Sequence, residues 1–555
     1  MHPANTHNSA GVLSTMRSRT GEHIHAIASS RSEIRSIEHV DDEVELLAQI
    51  GYKQELNRNY STLQVFGIAF SIMGLLPSIA STMATGYEAG PVGLVWGWIV
   101  SSLFILCVGT SMSVLASLLP TSGGLYYWTN YYCPDSFRVP LSFMVGCSNT
   151  LALCGGFCLI NSGFATEVLS AVFISKDGDF SITNAKNYGV FAGCTVSHVV
   201  LCSIASRQTA FLQAFSIYAN VFLIILFFIA VPIGASKHGF NDGLFIFGQL
   251  ENNLTWTTGW SFMLSWMPAI WTIGAFDSCV HMSEEAKSKK SIPIGIIGSI
   301  SVCGLVGWFI CICATACIKN GDVAAVMESS TGLAMAQIIY DALGKRWAVA
   351  FMSIIAFAQY LMGASILIAA SRQIWAFSRD DGLPFFYNIV KVVNPKIKVP
   401  IRATIFGGCL SLLVGLLILV GPTASGALFS LAVAGNTFAW GMPVFLVLLP
   451  TGKLRFVPGP FYFGKTITTM IHCVTVAWTL YVIVMSMFPS SKLVDKESMN
   501  YASVINVGVW ILSLVYYYVY GYRVYSGPKS NLDELASSIE GQEIHNIDQT
   551  LDEKV

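Results

Sequence analysis

Long stretches of this chain contain no charged residue, and no other feature limits its fold so strongly. Between successive Asp, Glu, Lys and Arg lie uncharged windows at 59–87, 89–134, 139–166, 187–206, 208–236, 252–276, 291–318, 347–371, 403–452, 466–491 and 498–522. About 20 apolar residues cross a bilayer as a helix, so every window is long enough to span. Charged residues make up 11% of the 555 and hydrophobic ones 54%, whereas a soluble domain carries about 25% charged residues. The sequence predicts an all-α polytopic membrane protein. Its net charge of -1, from 31 Lys+Arg and 32 Asp+Glu, supplies no basic field for nucleic acid.

Two windows are too long for one crossing. Window 403–452 divides at Gly421-Pro422, and 89–134 holds one helix ending near Pro120 followed by Thr121-Ser122-Gly123-Gly124. Twelve transmembrane helices result, which puts both termini on one side. Fourteen Lys and Arg fall in the loops of one side, among them Arg138, Lys287, Arg372 and Lys453; eight fall opposite, among them Lys176, Lys237 and Lys319. The richer side is cytoplasmic, and with it both termini. The sequon Asn253-Leu254-Thr255 then lies on the far side, although Asn59-Tyr60-Ser61 matches the same pattern on the near one.

The divisions are a polar cytoplasmic tail at 1–58, a first unit of five spans at 59–236, a second at 252–450, two further spans within 466–523, and an acidic cytoplasmic tail at 524–555. No cleavable signal is visible, since the first apolar segment is too long for one. Asp41 to Arg58 predicts a short amphipathic lead-in helix through Val44, Leu47, Ile50 and Leu56. All fourteen cysteines lie in or beside apolar windows and read as packing residues. Cys311-Ile312-Cys313 lacks the second pair a zinc site needs, so no metal and no cofactor is expected.

Two spans carry interruptions. Met73-Gly74-Leu75-Leu76-Pro77-Ser78 sets glycine and proline near the middle of the first; Trp271-Thr272-Ile273-Gly274-Ala275-Phe276-Asp277 does so with glycine in the sixth. Breaks five spans apart predict inverted repeats of spans 1–5 and 6–10, because five is odd. Unwound backbone and half-helix N-termini hold a carboxylate without any arginine. Asp277 is the most deeply placed carboxylate, with His281, Glu284 and Glu285 following at one-turn spacings. It is a functional candidate by its position; the alternative is a cap on the second half-helix. His281 is either proton-sensitive or a packing histidine, and Glu284 and Glu285 suit gate contacts with Lys or Arg. Glu167, His198 and His472 read as structural, and Asn149, Asn220 and Gln359 as cavity-lining groups or interhelical hydrogen bonds.

Three motifs resemble a known family: Asp277-x3-His281-x2-Glu284-Glu285-x7-Pro293; Pro120-Thr121-Ser122-Gly123-Gly124-Leu125-Tyr126-Tyr127-Trp128; and Ser371-Arg372-Gln373-x4-Ser378-Arg379-Asp380-Asp381-Gly382-Leu383-Pro384. They are similar to the amino acid/choline transporter branch of the amino acid–polyamine–organocation superfamily. Within it, Gly51 to Leu56, Ser61 to Gly67 and Phe276 to His281 resemble fungal permeases for γ-aminobutyrate (GABA). The resemblance spans about residues 45–530. It implies a five-plus-five inverted repeat (LeuT-like fold), alternating access, and a substrate between spans 1 and 6. One pole would meet Gly74, Leu76, Pro77 and Ser78, and the other Ile273, Gly274, Ala275, Phe276 and Asp277. Trp271 matches the aromatic gate of the amino acid antiporters, and Ser371 to Pro384 would be a connecting loop packed against the transport domain. Some relatives carry a span 5 lysine where this chain has Asn220; a neutral amide lacks its charge, which leaves Asp277, His281 and Glu284 as coupling candidates.

The expected function is a secondary transporter for GABA or a similar ω-amino acid, with a proton as coupling partner, in a fungal vacuolar or plasma membrane. Alternatives are a choline, ethanolamine or polyamine transporter of the same family, and a transport-dead nutrient sensor. A membrane enzyme or channel is disfavoured, since no nucleophile, metal cluster, phosphate loop or filter motif is present. Pocket dimensions are expected to depend on spans 3, 8 and 10.

Overall fold

The computed structural model describes Leu47 and residues 51–203, 206–288, 290–489, 491–492 and 499–529. In chain order the helices are α1 Thr62–Met73, α2 Leu75–Gly86, α3 Gly90–Leu118, α4 Gly124–Tyr132, α5 Arg138–Ser175, α6 Asn184–Cys202, α7 Ser206–Ala235, α8 Gly243–Gly248, α9 Thr258–Leu264, α10 Met267–Thr272 and α11 Ser278–His281. There follow α12 Ser291–Ala316, α13 Val323–Met327, α14 Ala334–Leu343, α15 Lys345–Arg379, α16 Tyr387–Val390, α17 Ile401–Val414, α18 Leu417–Val420, α19 Pro422–Leu448, α20 Pro450–Arg455, α21 Lys465–Ser486 and α22 Ala502–Val519. Among the described residues there is no strand, only an isolated bridge between Tyr60 and Ala286. Backbone groups in lipid must pair within their own segment, and helices do so without a partner.

Among the described residues, nine stretches are long and apolar enough to cross a membrane. One of them, Thr62–Leu118, runs through both of the first two expected spans. The fourth expected span is the 19-residue α6, and the sixth is divided among α9, α10 and α11.

The first interruption is narrower than the sequence suggests. Only Gly74 leaves helical geometry, at φ 38° and ψ 68°, a left-handed conformation glycine adopts without Cβ strain. Pro77 lies in the first turn of α2, where its missing N–H removes no helical bond. The second interruption is wider, since Ile273 to Asp277 separate α10 from α11. Gly421, at φ 141°, divides window 403–452 where expected. The window 89–134 ends its helix at Leu118 and adds α4 beyond the glycines.

Two expectations are corrected. Within the proposed lead-in, residues 51–58 are not helical; Tyr52 and Gln54 are drawn out to bond to Asp380 and to the Glu284 carbonyl. Ser371 to Arg379 is not loop, because α15 continues through it. Arg372 and Arg379 ride buried in that helix since each faces a carboxylate, as a buried charge requires.

The core is one contiguous cluster running through nearly every long helix, with a small satellite around Cys158, Ala165, Phe191, Ile418 and Leu428. Helix α5 is its axis: it packs along α15 and α19 and also touches α4, α6, α17 and α22.

Candidate functional site

The unwound segment arises from its own residues. Ile273 closes the last turn of α10 by donating to the Ala269 carbonyl at 2.9 Å, and Gly274 donates to Trp271 at 3.2 Å. A Cβ on Gly274 would come within 3.0 Å of the Ile270 carbonyl and 3.1 Å of the Trp271 carbonyl. Glycine is therefore what lets the chain fold back tightly at this point. Helix α11 restarts with the amides of Val280 and His281 donating to the Asp277 carbonyl, at 2.8 and 3.2 Å.

Asp277 stands at the start of α11 without capping it by side chain. Its carboxylate, 1% exposed, turns aside. Oδ2 accepts from the indole N–H of Trp440 at 3.0 Å and, more weakly, from Nδ2 of Asn149 at 3.5 Å. Oδ1 has no partner among the described residues. One turn on, His281 donates from Nδ1 to the Ser122 carbonyl at 3.0 Å, and its Nε2 stands 3.7 Å from Asp277 Oδ2. Because the carbonyl can only accept, Nδ1 carries a proton, and a second proton between Nε2 and the carboxylate is what would join the pair.

A cavity of about 50 Å³ lies against this carboxylate, several times the ~10–15 Å³ that one buried water needs. Trp271, Gly274, Ala275, Asp277 and Ser278 form its span 6 wall. Leu153, Gly156 and Ile160 of α5, Met362, Ile366 and Ala369 of α15, and Ala432, Asn436, Thr437 and Trp440 of α19 form others, so spans 3, 8 and 10 do bound it. Half-buried Trp271 packs against Phe429 with ring centres 5.2 Å apart and planes tilted by 38°. Ile273 and Phe276 face away, into a smaller void between α10, α3, α19 and α21.

Span 1 contributes only Ile72. Gly74, Leu76, Pro77 and Ser78 are fully buried or nearly so and do not line the cavity. Met362 stands between: a Cβ on Gly74 would meet its Sδ at 2.8 Å, and the Ser78 hydroxyl lies 3.7 Å from the same sulfur. That hydroxyl donates to the Met73 carbonyl at 2.7 Å, satisfying one acceptor freed by the break.

Asn220 lies elsewhere. With Gln213, Ser71, Ser216 and Ser365 it forms a buried neutral cluster joining α1, α7 and α15. Ser71 bonds to Ser216 and, at 2.9 Å, to Ser365, which also meets Gln213 Oε1 at 2.9 Å. Asn220 donates back to the Ser216 carbonyl at 2.9 Å.

Past α11, charge is concentrated in two buried pairs. Arg379 donates to Glu284 at 3.0 and 3.2 Å, and Glu284 also accepts from the Ser122 amide at 3.1 Å. Arg372 donates to Glu285 at 2.7 Å. The Arg379 guanidinium lies 4.0 Å from the Tyr52 ring centre and 4.6 Å from that of Trp375. Beyond the helix end, Asp380 accepts from the hydroxyls of Tyr52 at 2.9 Å and Tyr126 at 2.7 Å and from the Lys529 amide at 3.4 Å. Burial raises its carboxyl to about 6, against the lowering pull of Arg379 and the two hydroxyls. Glu284 thus belongs to the closure at this end and not to the cavity.

Sequence reasoning did not single out Asn436, Trp440, Thr437 or Met362. All lie in the uncharged windows 347–371 and 403–452, where one polar or bulky residue has no local signature; the helix pairing of α5, α15 and α19 brings them together. Glu167 is fully buried in α5, and neither carboxylate oxygen has a partner among the described residues.

The amino acid permease family profile matches residues 60–510. Over 528 residues the chain is 53% identical to the GABA-specific permease of Saccharomyces cerevisiae, covering 94% of this chain and 90% of that protein. Two uncharacterized amino-acid permeases of Schizosaccharomyces pombe are each 32% identical, one over 92% of this chain and 93% of its own length, the other over 92% of each. The matched proteins are permeases, not enzymes.

Proposed function

The chain belongs to the amino acid permease family, and on that premise we propose that it carries GABA or a similar ω-amino acid across a membrane as a secondary active transporter. It is an integral multi-pass protein that moves amino acids. The finer reading comprises twelve crossings with cytoplasmic termini, five-plus-five inverted repeats, alternating access and proton coupling.

One observation carries the substrate assignment: Asp277, whose buried Oδ1 has no partner among the described residues, lines a cavity that no described arginine or lysine lines. A buried acceptor in that state calls for a donor, and a charged one best. The substrate's ammonium supplies it. Trp271 closes over the other flank of the cavity.

Proton coupling is assigned to the Asp277–His281 pair. Asn220 is neutral, and Glu284 is held by two guanidinium bonds. Uptake of radiolabelled GABA into proteoliposomes, with and without a pH gradient, tests the whole reading. Gradient-driven accumulation is expected, and Asp277→Asn should reduce it about tenfold or more. Binding without accumulation would identify a sensor, movement only down the GABA gradient would identify a channel, and full uptake by Asp277→Asn would remove the carboxylate from the site.

A further inference from the structure

We infer that Asn436 is the receptor for the carboxylate end of the substrate, with its amide held in the donating direction by Asp277 through Asn149. This rests on the reading of Asp277 as the ammonium receptor.

The inference follows from donors and acceptors. An ionised carboxylate only accepts, so the side chain of Asn149 turns its NH2 toward Asp277. That same Nδ2 donates to Asn436 at 3.0 Å. Asn436 therefore presents Oδ1 to Asn149, and its own NH2 is turned away from this pair. No hydrogen bond among the described residues engages that NH2, and Asn436 lines the cavity. The amide direction is fixed by one charge two residues away along the chain of hydrogen bonds.

The result is a cavity lined by both an acceptor residue, Asp277, and a donor residue, Asn436. Asp277 Oδ2 and Asn436 Oδ1 both accept from Asn149 Nδ2, at 3.5 and 3.0 Å, and Asn149 itself does not line the cavity. A short methylene chain with an ammonium at one end and a carboxylate at the other bridges Asp277 and Asn436. A diamine satisfies Asp277 and then sets a cation against a donor, a pairing that discriminates against it. Thr437, whose hydroxyl has no partner among the described residues, lies one position on and lines the same cavity.

The test compares GABA with putrescine, which keeps an amine and lacks a carboxylate. Full-length wild-type, Asn436→Ala and Asn436→Asp proteins are reconstituted into proteoliposomes, and uptake of each radiolabelled compound is measured. Asn436→Ala should weaken GABA by about tenfold, the worth of one hydrogen bond to a charged group, with little effect on putrescine. Asn436→Asp should shift the GABA-to-putrescine ratio further the same way, because an acceptor replaces the donor. Asp277→Asn should depress both compounds alike. An unchanged ratio in both Asn436 variants, with wild-type GABA uptake intact, would overturn this inference alone. Wild-type protein that takes up no GABA would overturn the reading of Asp277 and this one with it.

Discussion

Arg379 holds Glu284 with two guanidinium nitrogens, at 3.0 and 3.2 Å, and joins α15 to the segment that follows α11. The carboxylate is fully buried and the guanidinium nearly so, at 0% and 7% side-chain exposure. Breaking such a pair from one side strands the remaining charge, at about 3–5 kcal/mol, whereas removing both charges costs far less. Arg379→Gln should therefore lower the thermal unfolding temperature in detergent and abolish uptake. The double variant with Glu284→Gln should regain most of that melting temperature. A double variant as unstable as the single one would show that the charge is not what matters.

Gly74 tolerates no side chain. Its φ of 38° is left-handed, which costs other residues about 1–2 kcal/mol, and a Cβ would stand 2.8 Å from Met362 Sδ. Gly74→Ala should lower both stability and uptake. Adding Met362→Ala should relieve the steric part and leave the backbone part, so partial recovery of melting temperature is expected. Full recovery would place the whole effect on the methionine contact.

Glu167 is buried in α5 without a hydrogen-bond partner among the described residues. A buried acceptor left unsatisfied costs about 1–3 kcal/mol, and an apolar residue of similar shape avoids that. Glu167→Leu should accordingly raise the melting temperature. A decrease would mean that the carboxyl group finds a partner in the membrane-embedded protein.

Asp380 should give a pH signature. Its carboxyl is raised from 3.8 to about 6 by burial, so between those values the folded protein holds more protons than the unfolded chain. Stability from this group is then greatest below about 4 and declines as pH rises toward 6. The melting temperature of wild type relative to Asp380→Asn should increase as pH is lowered from 7 to 5. An equal difference at both values would exclude Asp380 as the source.

Several elements were legible in the residues themselves. The division at Gly421 and the break at Gly74 follow from glycine, proline and uncharged length, which act locally. Asp277 was conspicuous because a carboxylate beside a mid-span glycine is rare. Of the expected lead-in, Leu47 is helical, the rest of 41–50 lies outside the described residues, and 51–58 leaves the helix for the opposite reason: Tyr52 and Gln54 have partners more than 200 positions away, at Asp380 and Glu284. Long-range bonds outweighed a weak local periodicity.

By itself the sequence determined that this chain lives in a bilayer and that helices break at Gly74 and Gly421, because charge placement and backbone freedom are properties of single residues and their neighbours. Only the tertiary structure decided what the Asp277 carboxylate faces. Trp440 of α19 and Asn149 of α5 reach Asp277, Asn149 also bonds to Asn436 of α19, and Met362 of α15 sets the break in α1 apart from the cavity. The direction of an amide and the closing of a wall depend on how helices pack, which no local pattern encodes.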